Sequence, residues 1–325
     1  MKLFLYIAQR LAKGYFVLIA IATLNFFLIR AAPGDPAQVM AGEAGATDEL
    51  FIAQLRQHFG LDRSMLEQLG IYLAKTATFD LGFSYRQQMP VSALIFERLP
   101  ATLLLTGTAF AISLLLGVML GMMAASRVGR WSDSLITLVA LLFYATPLFW
   151  VALMAIVLFS VYLEWLPSFG MTTVGAGYAG FALAVDIGRH LILPATTLGL
   201  FFMAVYARMT RASMLEVQTL DFVKTARAKG LAPRLVQRRH VLRNALLPVV
   251  TLAGLQAGQI VGGAVLTETV YAWPGIGRLM FEALTQRDYN LLLGVFLVSS
   301  AMVIVFNILT DLVYRVVDPR IQVAR

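Results

Sequence analysis

Charged residues divide this chain into six long neutral stretches, at residues 14–29, 99–126, 134–163, 191–207, 244–267 and 289–310. A helix that crosses hydrocarbon needs about 20 apolar residues. The four longer stretches meet that length outright. The first reaches it if Leu11 and Ala12 join while Lys13 snorkels, and the fourth if Met209 and Thr210 follow behind Arg208. The pattern therefore predicts an all-α polytopic membrane protein with six spans. Pro147 and Pro194 are predicted to kink the third and fourth. A further uncharged segment at 165–185 holds Pro167, Gly170, Gly175, Gly177 and Gly180 with few long aliphatics, so it reads as a loop.

Lysine and arginine placement tests this choice, because positive residues in short loops stay on the cytoplasmic side. With both termini inside, the inner segments hold 17 of the 26 basic residues and only 5 of the 18 acids. Nine of those 17 lie in one loop, from Arg208 to Arg243. A seventh span at 165–185 would put that loop outside, and the bias rejects it. After the first span, Pro33 interrupts the small-residue run that a signal-peptidase site would need, so the amino-terminal helix is expected to be retained.

Composition agrees and removes other classes. Of 325 residues, 59% are apolar and 14% charged, against about 45–50% and 25% in soluble domains, so a water-soluble enzyme is excluded. There is no Cys, and the three His are far apart, which leaves no expected metal site and no catalytic residues. The net charge of +8 reads as topology; no basic surface interleaved with aromatics argues for nucleic acid. The nearest approach to a phosphate-binding loop, Gly70 to Thr76, has Ala74 where the second Gly belongs.

Three regions follow: residues 1–30 with the first span, an outer helical cap at 31–98, and a core at 99–325. In the cap, Thr47 or Asp48 can start a helix carrying Leu50, Ala53 and Phe59, with Gly60 beyond its end. A second helix from Ser64 places Met65, Leu69, Tyr72, Leu73 and Thr76 on one side, and Val91 to Arg98 reads as a separate short helix before Pro100. The cap is either a lid on the outer helix ends or a contact for a delivered ligand or its carrier.

The inner loop at 208–243 is more specific. Between Asp221 and Leu231, Ala226 and Gly230 lie one turn apart and make a face without bulk, where a partner can approach while Arg227, Lys229 and Arg234 meet carboxylates. A basic helix lying on anionic lipid accounts for the charge but not for that face. Inside the spans, Gln256 and Gln259 share one face of the fifth, either lining a polar path or bonding a neighbouring helix. Glu268, at the outer end, either contacts solute or anchors the turn that follows it.

At this loop the chain resembles the permease subunits of ATP-binding-cassette importers of the dipeptide, oligopeptide and nickel group. Asp221, Ala226 and Gly230 stand at matching places of their EAA-type signature, and HVLRNALLP, with Pro248 later than in other importers, is similar to the peptide and nickel branch. LIRAAPGDPA, DLGFSYRQQMPV, RLPATLLL, TPLFW, EWLPSFG, ETVYAWPGIGRL and DPRI continue the resemblance in order; RDYN differs in placing Asn290 where the family often has Pro.

The resemblance implies the type I importer fold in a bacterial inner membrane and a second, homologous permease, making a heterodimer. It also implies two cytoplasmic ATPase subunits that bind ATP and Mg, and a periplasmic or lipid-anchored solute-binding protein. No cofactor is expected in this chain. It further implies that Asp221, Ala226, Arg227, Lys229, Gly230 and Leu231 couple to the ATPase, and that peptides are the first choice of solute. The competing class is a stand-alone secondary transporter or channel, which would want ionisable residues within its spans, and the six neutral stretches hold none.

Overall fold

A computed structural model describes residues 2–31, 48–50 and 63–317. Among them, five helices are long and apolar enough to cross a membrane, or six if one sharply bent pair counts as a single span. The chain forms two compact units, one from Met1–Pro100 with Gly275–Ile308 and one from Ala101–Pro274 with Leu309–Arg325.

In the first unit, helix α1 (Lys2–Ala31) leads to α2 (Met65–Ala77), and the two meet where the rings of Phe26 and Tyr72 lie 5.8 Å apart. Ser64 caps α2 and Glu67 reaches back to the Ser64 backbone N–H, a capping box that satisfies two otherwise orphaned donors. Of the face read from the sequence, Leu69, Tyr72, Leu73 and Thr76 are half-buried while Met65 is exposed. Leu50 N–H donates to the Asp48 carboxylate, as a cap at Asp48 requires; Ala53, Phe59 and Gly60 lie outside the described residues.

A two-residue hairpin, β1 (Phe83–Ser84) against β2 (Met89–Pro90), runs straight into α3 (Val91–Ser126). Residues 91–98 are thus not a separate helix. Pro100 removes one backbone donor inside α3, and the Leu- and Ala-rich sequence on either side carries the helix past it. Val91, Leu94 and Ile95 pack with α10 (Ile276–Gln286) and α11 (Tyr289–Val317) through Ile276, Leu279, Leu291 and Val295. Asp288 fastens this unit: one carboxylate oxygen accepts from Leu291 N–H at the start of α11, and the other accepts from the buried hydroxyl of Ser84. Asn290 Nδ2 donates to Phe83 O at 3.1 Å.

In the second unit, the third neutral stretch is two helices, α4 (Trp131–Ala145) and α5 (Leu148–Ile156), the latter ending in a π-helical turn (Val157–Tyr162). They bend by 101°, far more than the kink expected of Pro147. Thr146, forced out of the helical region by the following proline, takes ψ 135°, and Pro147 itself is extended, so the chain turns instead of bending. Helix α6 (Gly180–Gln218) begins inside the segment read as a loop and passes the buried Pro194 unbroken. Its 39 residues span about 58 Å, well beyond a hydrocarbon core of about 30 Å.

Gly117 and Gly121 of α3 let α6 approach to backbone contact. A Cβ on Gly117 would lie 2.4 Å from Tyr206 Cβ, and one on Gly121 would lie 2.5 Å from the Ala207 carbonyl oxygen. This is the close small-residue packing that membrane helices use where apolar burial supplies no driving force. Arg211 pairs with Asp133 through two bonds of 2.7 and 2.8 Å, holding the first turn of α4 to α6.

Candidate functional site

Past Gln218 the chain turns through extended Leu220 into α7 (Asp221–Ala228). Asp221, in the first turn, favours the positive end of the helix dipole and pairs with Lys224 at 2.9 Å; both side chains are exposed. Val223 and Ala226 face inward, packing with Ala125, Met214, Val236, Val241 and Ala245. Arg227, Ala228 and Lys229 are exposed.

The end of α7 is a Schellman motif. Leu231 N–H bonds to Ala226 O, Gly230 N–H bonds to Arg227 O, and Gly230 takes φ +77°. Leu231 packs on the same cluster as Ala226, the apolar contact that accompanies this cap. This cap corrects the small face read from the sequence. Helical spacing puts Ala226 and Gly230 together only if the helix continues, and it stops at Ala228. Ala226 is small because the protein's own core lies against it. Gly230 is glycine because of its left-handed backbone; a Cβ there would meet nothing within 4 Å.

After Pro233, a helical turn α8 (Pro233–Leu235) and a π-helical stretch (Val236–Leu242) lead without a break into α9 (Arg243–Val270). Among the described residues, no salt bridge engages Arg227, Lys229 or Arg234. Six of the named residues, Asp221 to Leu231, therefore stand in one helix and its cap, presenting one acid and two cations outward around a buried apolar anchor.

The interior polar positions are less alike than their spacing suggested. Gln256 is half-buried, and its side-chain carbonyl oxygen is enclosed without a hydrogen bond. Gln259 is on α9 three residues on, but its side chain lies outside the described residues. Glu268 is fully buried and accepts from Thr102 Oγ1 at 2.7 Å, while its backbone carbonyl accepts from Trp273 N–H at 2.8 Å. Trp273 Nε1 in turn donates to Ala101 O, and Tyr271 O accepts from Gly170 N–H. The Glu268 side chain thus ties α9 to α3, and its backbone carbonyl holds the turn after α9.

Other polar anchors escaped sequence reading because their partners are remote in the chain. Asp133 and Arg211 are one case. Asp186 was missed at shorter range, 13 residues from its partner: its carboxylate accepts from both the backbone N–H and the hydroxyl of Thr173 at 2.7 Å and so ties down the glycine-rich loop before α6. Gly70 to Thr76, the nearest likeness to a phosphate loop, lies within α2, where helical backbone cannot cradle phosphate.

If Gln256 and Gln259 line the solute path, replacing both with Leu should lower uptake several-fold while assembly stays intact. If they hold helices together, the assembled complex itself should weaken by about 0.6–2 kcal/mol per lost bond. Comparing uptake with the yield of intact complex separates the two, and loss of complex decides against the path.

Residues 117–323 match the family model described as binding-protein-dependent transport system inner membrane component, and residues 3–106 match the model of its amino-terminal region. The dipeptide transport system permease protein DppB of Alkalihalophilus pseudofirmus is 39% identical over 98% of this chain and 99% of its own length. The protein of the same name from Escherichia coli K12 is 40% identical, covering 98% of each chain. Among solved structures, an inward-facing form of the MetNI methionine ABC transporter aligns with a TM-score of 0.54 at 18% identity, over 69% of this chain and 96% of that one. An amino acid ABC transporter crystallised with histidines gives 0.51 at 15%, over 69% and 94%.

Proposed function

Because this chain belongs to the binding-protein-dependent transport system inner membrane components, the permease subunits of ATP-binding-cassette importers, we propose that it forms half of a translocation path for peptides. Peptide cargo rests on the relatives, two of which are named as dipeptide permeases. The family and the type I importer fold set aside a stand-alone secondary transporter or channel. In this reading a second, homologous permease completes the path, two cytoplasmic ATPase subunits bind ATP and Mg, and a periplasmic or lipid-anchored solute-binding protein delivers cargo. In this reading ATP and Mg belong to the ATPase subunits, and no cofactor is expected in this chain.

The observation that carries the coupling role is the geometry of α7. A helix of eight residues, anchored by Val223 and Ala226 and closed by the Gly230 cap, projects its charged side chains from the end of α6. A push on α7 passes into α6 and, through the stretch after Pro233, into α9, so closure of a cytoplasmic partner becomes movement of two spans. Uptake of a radiolabelled dipeptide into proteoliposomes holding the complete transporter tests the assignment. Uptake should require ATP inside and the solute-binding protein outside; ATP-independent uptake by this chain alone would sink it.

Orientation follows from the charge bias, with both termini and α7 in the cytoplasm. The chain has no Cys, so single substitutions report sidedness directly. Val174→Cys, at a position 98% exposed, should react with an impermeant maleimide in intact cells, and Lys229→Cys should react only after the membrane is opened. Labelling at 229 in sealed cells would invert the topology.

A further inference from the structure

Behind α7 lies a cavity of about 380 Å³, half-open to the surface, that the coupling reading does not use. Its lining includes Ser126 at the end of α3, Gln218 at the end of α6, Arg227 on α7, and Pro233 and Gln237 beyond the cap. The walls are set by the fold. Val236 and Val241, on its floor, belong to the cluster that buries Val223 and Ala226, and Gln237 Nε2 donates to Ser126 Oγ across one side. The wall at 236–242 is π-helical, a rare form that is frequent at functional sites.

The charge of this region is unbalanced. Residues 208–243 hold nine Lys and Arg against two acids, Glu216 and Asp221. Asp221 is engaged by Lys224, and Arg211 by Asp133, yet no salt bridge among the described residues reaches Arg227. A guanidinium is the side chain whose planar fork matches a carboxylate with two parallel bonds. Here it borders a space far larger than a water molecule and lined by further donors, the amides of Gln218 and Gln237.

We propose that this cavity is a socket for an acidic side chain of the cytoplasmic ATPase, with Arg227 pairing to the inserted carboxylate and the two glutamines bonding around it. The inference rests on the coupling reading and adds a direction to it: the permease receives a group from its partner as well as presenting a helix. Because the socket is walled by the ends of α3 and α6 and by the π-helical stretch before α9, a seated carboxylate would bind three membrane helices to one point on the ATPase.

The assembled transporter provides the test. With no native Cys, Gln237→Cys and Lys224→Cys can each carry a benzophenone maleimide, the first inside the socket and the second on the outer face of α7. Irradiation of the Gln237→Cys complex is expected to give an adduct with the ATPase that maps, by peptide mass spectrometry, to a segment containing Asp or Glu. Adding Arg227→Glu should lower that adduct about tenfold, and Arg227→Gln should flatten the loss of ATPase with rising salt. An adduct at 237 confined to permease chains, or mapped to an ATPase segment without acids, overturns the socket. So does Arg227-dependent binding of free glutamate to the permease pair without its ATPase, which would make the occupant a soluble anion. An ATPase adduct from 224 without one from 237 removes the socket and leaves the coupling helix standing; adducts from neither remove both.

Discussion

Gly121→Leu should prevent a folded, inserted permease from accumulating, and Gly121→Ala alone should lower its stability by about 1–3 kcal/mol or more, the usual cost of overpacking. The reason is local. A Cβ at Gly121 would lie 2.5 Å from the carbonyl oxygen of Ala207 and 3.1 Å from the backbone nitrogen of Arg211, atoms that cannot swing away as a side-chain tip can. Relief requires α3 and α6 to separate, which also disturbs the neighbouring contact of Gly117 with Tyr206. Gly107, on the same helix, is the control, because a Cβ there meets nothing within 4 Å. Gly107→Ala should be neutral, or gain up to about 1 kcal/mol from helix propensity. Thermal midpoints of the detergent-solubilised permease, followed by size-exclusion fluorescence, make the comparison. Equal midpoints for the two Ala variants would show that the helices do not meet at Gly121.

Gly230→Trp is expected to leave the chain inserted while reducing ATP-driven uptake by about tenfold or more. A non-glycine residue held in the left-handed region costs about 1–2 kcal/mol, enough to unmake a cap stabilised by two backbone hydrogen bonds. The end of α7 would then fray, Leu231 would leave the apolar cluster, and Arg227 would lose its fixed place. Since a Cβ at this position meets nothing within 4 Å, the first atom of the added side chain is unobstructed by this chain, and the bulk beyond it is expected to act on whatever docks there. Gly230→Asn separates the two effects, because Asn tolerates φ near +60° better than other residues. It should retain more uptake than Gly230→Ala although its side chain is larger. Uptake measured beside retained ATPase in proteoliposomes is the readout. Normal uptake in Gly230→Trp would mean that this helix is only a basic segment lying on the membrane.

Both predictions depend on distinguishing why two neighbouring small residues are small, and here sequence reading went astray. Ala226 and Gly230, four apart, looked like a single docking face. Their chemistry differs because α7 ends between them: one is packed from within and the other relieves a backbone angle. The turn signal was present in Lys-Gly-Leu-Ala-Pro, in which a glycine followed by a nearby proline marks a helix end. Gly117 and Gly121 were equally visible as a pair four apart, and in their case the helix does continue, so helical spacing correctly gives one face.

What the sequence by itself determined is the set of properties that depend on short windows and on the cost of putting charge or bare backbone into hydrocarbon. Six neutral stretches, the basic loop at 208–243 and the ordered motifs all follow from residues read one after another, since membrane insertion tests each segment almost independently. Tertiary structure alone decided which polar residues are anchors. Asp133 with Arg211, Glu268 with Thr102, and Asp288 with Ser84 are pairs separated by 78, 166 and 204 residues. No local pattern marks such partners, because a buried carboxylate is stabilised by whichever donor the fold brings to it. The 101° turn at Pro147 and the unbroken passage of α6 over Pro194 have the same origin. A proline removes one hydrogen bond wherever it stands, and the surrounding packing decides whether the helix bends away or closes over the gap.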